Sequence, residues 1–488
     1  MPMKGSIMAA IRAARKVHVL GIAGQEGRAV FDYLLGKGLS PIGHENALES
    51  EFRARFLNYS DAYSENEAED MIGRFLSSGA EIRFAGEYLS GIEEGDVVIA
   101  PQAYRRYPAN APMIMMADEG KISLFQAIEI AFDISPCFTI GVTGTAGKST
   151  TVSLIGKMIS ASGKKMYFSG NDRENKWDLS ELENVGSSGM ALFEVSHRHL
   201  MDLQASPDVA VIVNIYPHHL DDAGSFEDYI EIKKNLIRYQ SVKGKAIVAW
   251  PLISREMVVP EDTSADLLAF GGPEGLSASY VKDGNVFIDG DEEKEIVSLS
   301  ELPFAGEHNV LNALAACAAA SAAGISVNEI RKGLLAWTPL KYRLETIYTD
   351  GSTVIVNDGK SSDPLATMEA VRSVPDISVL VMGGVREGMK SGDFVPLAEE
   401  ILKNEVENVV IFGKSRDAII ADLNSVLSGT GVNVVAAEGH DNAFKKAFDA
   451  HVSGALVFSP ACQSFDEFKD YRERGEAWNK AVAERYGL

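Results

Sequence analysis

Cysteine is scarce in this sequence: Cys137, Cys317 and Cys462 stand far apart among 488 residues. That spacing excludes a disulfide framework and offers no C-x-x-C pair to a metal. It fits a chain that works in a reducing compartment. No uninterrupted apolar run approaches the roughly 18 residues needed to cross a bilayer. Met1 to Leu20 carries Lys4, Arg12, Arg15 and Lys16 without an apolar segment of signal-peptide length. A cytoplasmic location without membrane insertion is therefore expected. Positive charge is also short, with 46 Lys and Arg against 69 Asp and Glu, a net charge of −23. An acidic surface repels phosphate backbones, so no nucleic-acid partner is expected. A small anionic substrate remains admissible, because lysines, arginines and helix N-termini can line a single pocket.

What is present describes an ordinary folded chain. Hydrophobic residues make up 46% and charged residues 24%, enough to build cores and too apolar for global disorder. At about 150 residues per domain the length predicts three. Lys16-Val-His-Val-Leu20, then Gly21-Ile-Ala-Gly24-Gln-Glu-Gly27 and an apolar-periodic stretch to Leu35, read as strand, glycine turn and helix. Asp96–Ala100 is a second buried strand, whereas Glu45 to Asp70 is acidic and weakly patterned. No acidic residue closes a convincing second strand, so a nicotinamide dinucleotide is not expected. A second alternation starts near Ser135, with strands at Cys137–Val142 and Val209–Asn214 and helices at Lys148–Ser162 and Val310–Ala323. A third follows Thr338-Pro339, with strands at Thr353–Asn357, Ser378–Met382, Asn408–Phe412, Asn433–Ala436 and Ala455–Ser459 and helices between them. The expected fold class is α/β in three domains, 1–135, 136–337 and 338–488, with a Rossmann-like first, a P-loop ATPase-like centre and a Rossmann-like parallel sheet last.

Gly144-Thr-Ala-Gly147-Lys148-Ser149-Thr150 lies between a strand and a helix, where a phosphate loop belongs. Glycines let backbone N–H groups turn toward phosphate oxygens, Lys148 supplies a charge, and Ser149 can ligate magnesium. Val142 stands where the first glycine of the usual pattern would be.

That loop does not stand alone. Four further segments follow in order: Asn214-Ile-Tyr-Pro-His-His219-Leu-Asp221, Gly306-Glu-His-Asn309-Val-Leu-Asn312-Ala-Leu-Ala-Ala316, Tyr342-Arg343-Leu-Glu345 and Asn357-Asp358-Gly-Lys360. Together they resemble the Mur ligases of bacterial cell-wall synthesis, from about Thr139 to the end of the sequence. The tail Ser459-Pro-Ala-Cys-Gln-Ser464-Phe465-Asp466-Glu-Phe468-Lys-Asp-Tyr471-Arg-Glu-Arg474-Gly475 looks like the D-glutamate-adding branch. So does Gly383-Gly384 followed by Lys390-Ser-Gly-Asp-Phe394.

The resemblance implies an ATP- and magnesium-dependent amide ligase of peptidoglycan precursor synthesis. Its three domains would take a UDP-linked sugar-peptide acceptor, ATP and D-glutamate, and the chain would act as a monomer. Gly144, Thr145, Gly147, Lys148, Ser149, Thr150, Asn309, Asn312, Arg343 and Asp358 would hold the nucleotide. Ser149 and Glu194 would serve one magnesium and His219 a second. Lys233, four residues after Tyr229, falls where the family carries a carbamylated lysine facing the metal, with Lys234 as its rival. Asn171, Ser196, Lys360, Ser362, Lys390, Ser464, Phe465 and Tyr471 would meet the substrates. Lys390 would face the glutamate side-chain carboxylate, and Ser464 with the Phe465 N–H would hold an oxygen if a helix begins there.

The sequence departs from the family at Ala146, His218, Asp222, Asp172-Arg173 and Tyr342, and at His197-Arg-His199 after Ser196. A folylpolyglutamate-type or other Mur-like ligase with a different acceptor is therefore an alternative. So is a nucleotide-binding protein without ligase activity, although Lys148, Ser149, Glu194 and His219 together argue against it.

Overall fold

The computed structural model describes residues 5–58, 62–170, 175–217, 224–289, 293–304, 306–386 and 389–488. Asn171 and His219 lie outside these. The chain divides into two compact units, Met1–Pro303 with Asn309–Trp337, and Phe304–His308 with Thr338–Leu488.

The first unit contains two sheets. One has five parallel strands in the order Ile82–Arg83, Ile42–His44, Val17–Leu20, Val97–Ala100, Ser123–Gln126. The other has nine, in the order Lys294–Ser298, Asn285–Ile288, Ser279–Lys282, Asp266–Phe270, Lys245–Ala249, Val209–Ile212, Phe138–Thr143, Met190–Glu194, Met166–Ser169. Its central strands are parallel and almost wholly buried, which is why they read as continuous apolar runs. Three strands at one edge are antiparallel to their successive neighbours and turn through Asp283-Gly284, whose φ values of 49° and 77° suit a two-residue hairpin.

The acidic stretch after Glu45 is helical, over Glu49–Asn58 and Glu65–Ser77. Ser64 and Glu67 form a capping box at the second start, and Phe52, Phe56 and Phe75 face inward. The first sheet also corrects the expectation about acidic residues. Glu45 directly follows strand Ile42–His44, and its Oε2 accepts the Ala23 N–H of the glycine turn at 3.0 Å. The strand has three residues, too short to stand out in the sequence.

The second unit has one six-stranded sheet in the order Glu345–Thr349, Thr353–Asn357, Gly454–Phe458, Ile377–Gly383, Asn408–Phe412, Asn433–Ala436. All its pairs are parallel except the edge strand Glu345–Thr349. Alternation along the strands sends Leu380, Met382, Val409 and Ile411 to one face. Val379, Val381, Val410 and Phe412 go to the other, where Phe444, Phe458 and Trp478 pack. The sheet is thus covered on both sides, as parallel sheets require.

Candidate active site

In the nine-stranded sheet the chain leaves Phe138–Thr143 with neighbours on both sides, Met190–Glu194 and Val209–Ile212. The crevice beyond the carboxyl ends at such a switch point is where open α/β sheets take ligands. Residues 144–147 lie there, and helix Lys148–Ala161 starts from Gly147 at φ 79°. A Cβ on Gly147 would come within 2.3 Å of Asn312 Oδ1, so any other residue would have to displace that amide as well as adopt a left-handed backbone. Asn312 is buried inside helix Glu307–Ala322 and is no cap; its Oδ1 also accepts from Thr151 Oγ1 at 3.5 Å. Asn214 grips the loop from the far side, its Oδ1 taking the Ala146 N–H and its Nδ2 donating to the Ala146 carbonyl. Thr145 Oγ1 accepts the Tyr216 N–H at 3.0 Å. Ser149 and Thr150 are half-buried in the first helical turn, and Asn309 lies in the same helix as Asn312.

Two lysines converge on this loop. Lys148 Nζ donates to the carbonyls of Gly144 (2.8 Å) and Thr145 (3.0 Å). Lys233 Nζ donates to the same Gly144 carbonyl at 3.1 Å and to Thr143 Oγ1 at 3.0 Å. The helix Phe226–Arg238 brings it there, because Tyr229, Lys233 and Leu236–Ile237 share its buried face. The Lys233 amine is fully buried, and burial together with the Lys148 charge holds its pKa well below the ordinary lysine value. Lys234 points elsewhere, pairing with Glu231 at 2.9 Å and Asp262 at 3.2 Å. Glu194 ends the adjacent strand in register with Val142 and is buried; Ser196, two residues on, donates its hydroxyl to Gln102 Oε1 at 2.6 Å.

The second unit gathers its polar residues at the carboxyl ends of its own sheet. Asp358 follows strand Thr353–Asn357 and accepts from Ser361 Oγ, Ser459 Oγ and the Leu344 N–H. Burial raises its pKa to about 6, against those hydrogen bonds and the Arg343 charge. Arg474 is buried beneath. Its guanidinium donates to the carbonyls of Gly359 (2.9 Å) and Cys462 (2.8 Å), tying the loop that carries Lys360 to the loop that carries Ser464. Nothing in the isolated sequence distinguished this arginine from its neighbours. Lys360 Nζ lies 4.6 Å from the centre of the Tyr471 ring.

Arg343 stands between Tyr342 and Leu344, both in the left-handed region at φ 61° and 48°. Tyr342 is held by its N–H to Glu345, its hydroxyl to Glu476, and its ring against Gly475, where a Cβ would come within 2.4 Å. Glu345 thus takes a backbone N–H from Tyr342. Gly383 and Gly384 adopt φ 138° and 131°, as close backbone contacts with Phe412 and Gln463 demand.

Ser464 is buried, Phe465 is 64% exposed, and Lys390 and Ser362 are exposed. No helix begins at Ser464. Its carbonyl accepts from Glu467 and Phe468 in an isolated turn, and the helix Tyr471–Tyr486 starts later, capped by Asp470. The Phe465 N–H therefore has no helix dipole behind it, contrary to the expectation.

A family model described as the Mur ligase middle domain matches residues 142–320. Among curated proteins the chain is 30% identical over 478 residues to a UDP-N-acetylmuramoylalanine–D-glutamate ligase of Acetivibrio thermocellus, covering 96% of each. It is 29% identical over 462 residues to the enzyme of that name from Thermoanaerobacter pseudethanolicus, covering 92% of this chain and 97% of the relative. The fold resembles that of MurF from Acinetobacter baumannii, with a TM-score of 0.56 at 20% identity over 80% of this chain and 92% of that one. The chain belongs to the Mur ligase family. It is an enzyme of the ligase class.

Proposed function

We propose that this ligase joins D-glutamate to UDP-N-acetylmuramoyl-L-alanine with hydrolysis of ATP. Residues 1–135 would take the acceptor, 136–337 the nucleotide and 338–488 the amino acid. The observation that carries the reading is the paired approach of Lys148 and Lys233 to Gly144 at the sheet's switch point. A free carboxylate does not form an amide in water unaided. Transfer of the ATP γ-phosphoryl group to the acceptor carboxylate gives an acyl phosphate and ADP. The glutamate amine then attacks the carbonyl, and the tetrahedral adduct expels phosphate.

The main catalytic need is cationic charge around the transferring phosphoryl group. Lys148 lies across the loop to supply it, with Gly144, Thr145, Gly147 and Thr150 shaping the cradle. Asn309 and Asn312 would add nucleotide contacts, and the family resemblance alone proposes Arg343 and Asp358 for the same ligand. The oxygen donors Ser149 and Glu194 suit magnesium, which takes one or two protein ligands beside substrate phosphates. Those two would hold one ion and His219 a second, with a carbamate on Lys233 facing the metal; magnesium, when bound, neutralises phosphate charge. Burial and the nearby Lys148 charge lower the Lys233 pKa, which favours the neutral, nucleophilic amine. Its attack on carbon dioxide releases one proton and leaves a carboxylate-like group.

For the amino acid, Lys390 pairs with the side-chain carboxylate and Ser464 adds a hydrogen bond, with Lys360, Ser362, Phe465 and Tyr471 alongside. Asn171 and Ser196 serve the acceptor. A substrate without that carboxylate leaves donors unpaired, and a diamino acid brings an ammonium toward Lys390. Purified protein offered competing amino acids should use D-glutamate and reject L-lysine, diaminopimelate and L-alanine. Lys390→Ala should raise the glutamate KM about tenfold or more, as expected for losing a charge-assisted contact, and leave the ATP KM unchanged. Preferred use of a diamino acid or L-alanine would overturn the amino-acid assignment.

A further inference from the structure

A closed ring of hydrogen bonds joins the two sheets of the first unit. Glu26, buried in the first turn of helix Gln25–Gly36, accepts the Gln102 N–H on Oε2 at 2.8 Å. Its Oε1 accepts Gln102 Nε2 at 2.9 Å and His199 Nε2 at 3.1 Å. Ser196 donates to Gln102 Oε1 at 2.6 Å. The circuit closes where the Ser196 N–H meets His199 Nδ1 at 3.2 Å and the His199 N–H meets Ser196 Oγ at 3.2 Å.

A backbone N–H can only donate, so Nδ1 of His199 is an acceptor and its ring proton sits on Nε2, facing Glu26. The carboxylate at the start of the helix also receives the helix's positive end. His199 is wholly buried. The ring therefore fixes one tautomer of His199 and holds its imidazole out of water.

Its position gives it a consequence for the reaction. Glu26 belongs to the glycine turn of the first sheet, Gln102 follows strand Val97–Ala100, and Ser196 lies two residues beyond Glu194 on the second sheet. We propose that Glu26, Gln102 and His199 are positioning residues that hold Ser196, and the chain leaving Glu194, in one register with the acceptor-facing edge of the first sheet. This rests on the proposal that the first sheet receives the acceptor. Such registration matters because a displacement of about 1 Å at reacting groups can cost about 10²-fold in rate.

The variants His199→Leu, Glu26→Gln and His199→Gln test it. Leucine removes both ring bonds. Glutamine at 26 sets an amide NH₂ against a donor. Glutamine at 199 can donate to Glu26 and accept from the Ser196 N–H, completing a Ser-x-x-Gln capping box. His199→Leu and Glu26→Gln should raise the acceptor KM and lower kcat, each about tenfold, with the ATP KM within twofold of wild type. The double variant should be no worse than either single one, because both break the same circuit. His199→Gln should recover most of the loss. Wild-type rates in folded His199→Leu, or equal losses in His199→Gln and His199→Leu, would overturn the proposal.

Amide hydrogen exchange reads the ring without any substrate. His199→Leu should unprotect the N–H groups of Ser196 and Gln102, and His199→Gln should not; unchanged protection in His199→Leu would also overturn it. Wild-type protein that never joins D-glutamate to the acceptor refutes the functional reading alone, and the exchange result then decides the ring.

Discussion

Two strand–glycine–helix loops in one unit carry opposite charge. After Val17–Leu20 the turn is lined by acids: Glu45 takes the Ala23 N–H, and Glu26 sits in the first helical turn. The nearest cation, Arg28, is buried beneath, donating to the carbonyls of Ala23 and Phe56 and stacked 3.7 Å from the Phe56 ring centre. After Phe138–Thr143 the loop is held by Lys148 and Lys233, both on Gly144. The glycines serve the same geometry in both places. A Cβ on Gly27 would strike the Gly21 carbonyl at 2.3 Å, much as one on Gly147 would strike Asn312. What a glycine turn can hold is therefore set by the side chains folded over it. The second loop gathers two lysines, as the proposed nucleotide site requires, whereas the first spends its N–H groups on the carbonyls of His44 and Gly21 and the carboxylate of Glu45.

The strongest way to break this contrast is Lys148→Ala. Losing the charge over the loop should cost about 3–4 kcal/mol of transition-state stabilisation, or 10²–10³-fold in rate. Near-normal phosphate release by the folded variant would remove the loop from the mechanism.

Lys233→Ala should come next, crippling turnover without rescue by bicarbonate, while short carboxylic acids in solution restore part of it by occupying the vacated space. Lys234→Ala should stay active, because that side chain is spent on Glu231 and Asp262. The reverse pattern would move the assignment by one residue.

The smallest effect should appear as acid lability of the first sheet. His44 and His18 are buried side by side, with the Leu89 N–H on His44 Nδ1, His44 Nε2 against His18 Nδ1, and His18 Nε2 against Asp96. That chain is satisfied only when both rings are neutral. Burial lowers both pKa values, that of His44 to about 3. The unfolded state then binds more protons between the ordinary value of about 6.5 and the folded one, so stability is full above pH 6.5 and falls as the pH drops toward 3. At about 1.4 kcal/mol per unit, with allowance for partial relaxation, the loss is on the order of 3 kcal/mol. His44→Gln should flatten the fall of Tm with acidification; an unchanged slope would refute this account.

Much of the architecture could be read before any coordinates, and the reasons differ by region. Thr353–Asn357 and Asn408–Phe412 were legible to the residue because strands covered on both faces are short apolar runs between polar turns, and the edge strand Asn433–Ala436 was legible from its Val434-Val435 pair although its ends are exposed. The hairpin at 279–288 was missed, since its strands are partly exposed and alternate; the Asp283-Gly284 pair was the available signal. The helices at 49–58 and 65–77 were hidden by acidic composition, although Ser64 and Glu67 spelled a capping box. Of the candidate site, the placement of Lys148 and Ser149 at the start of the helix after the glycine loop followed from local spacing. Arg474 and the Glu26–His199 pair did not, because their partners lie 115 and 173 residues away in the chain.

The fit of Tyr342 against Gly475 bears on how this sequence can drift. The ring leaves no room for any side chain at 475, and the left-handed backbone at 342 is maintained by the contacts that the ring and its hydroxyl make. Scanned one position at a time, each residue would register as intolerant. Libraries that shrink the ring at 342 while adding a side chain at 475 should uncover functional sequences that neither single-site scan can reach, so for directed evolution the two positions are one site.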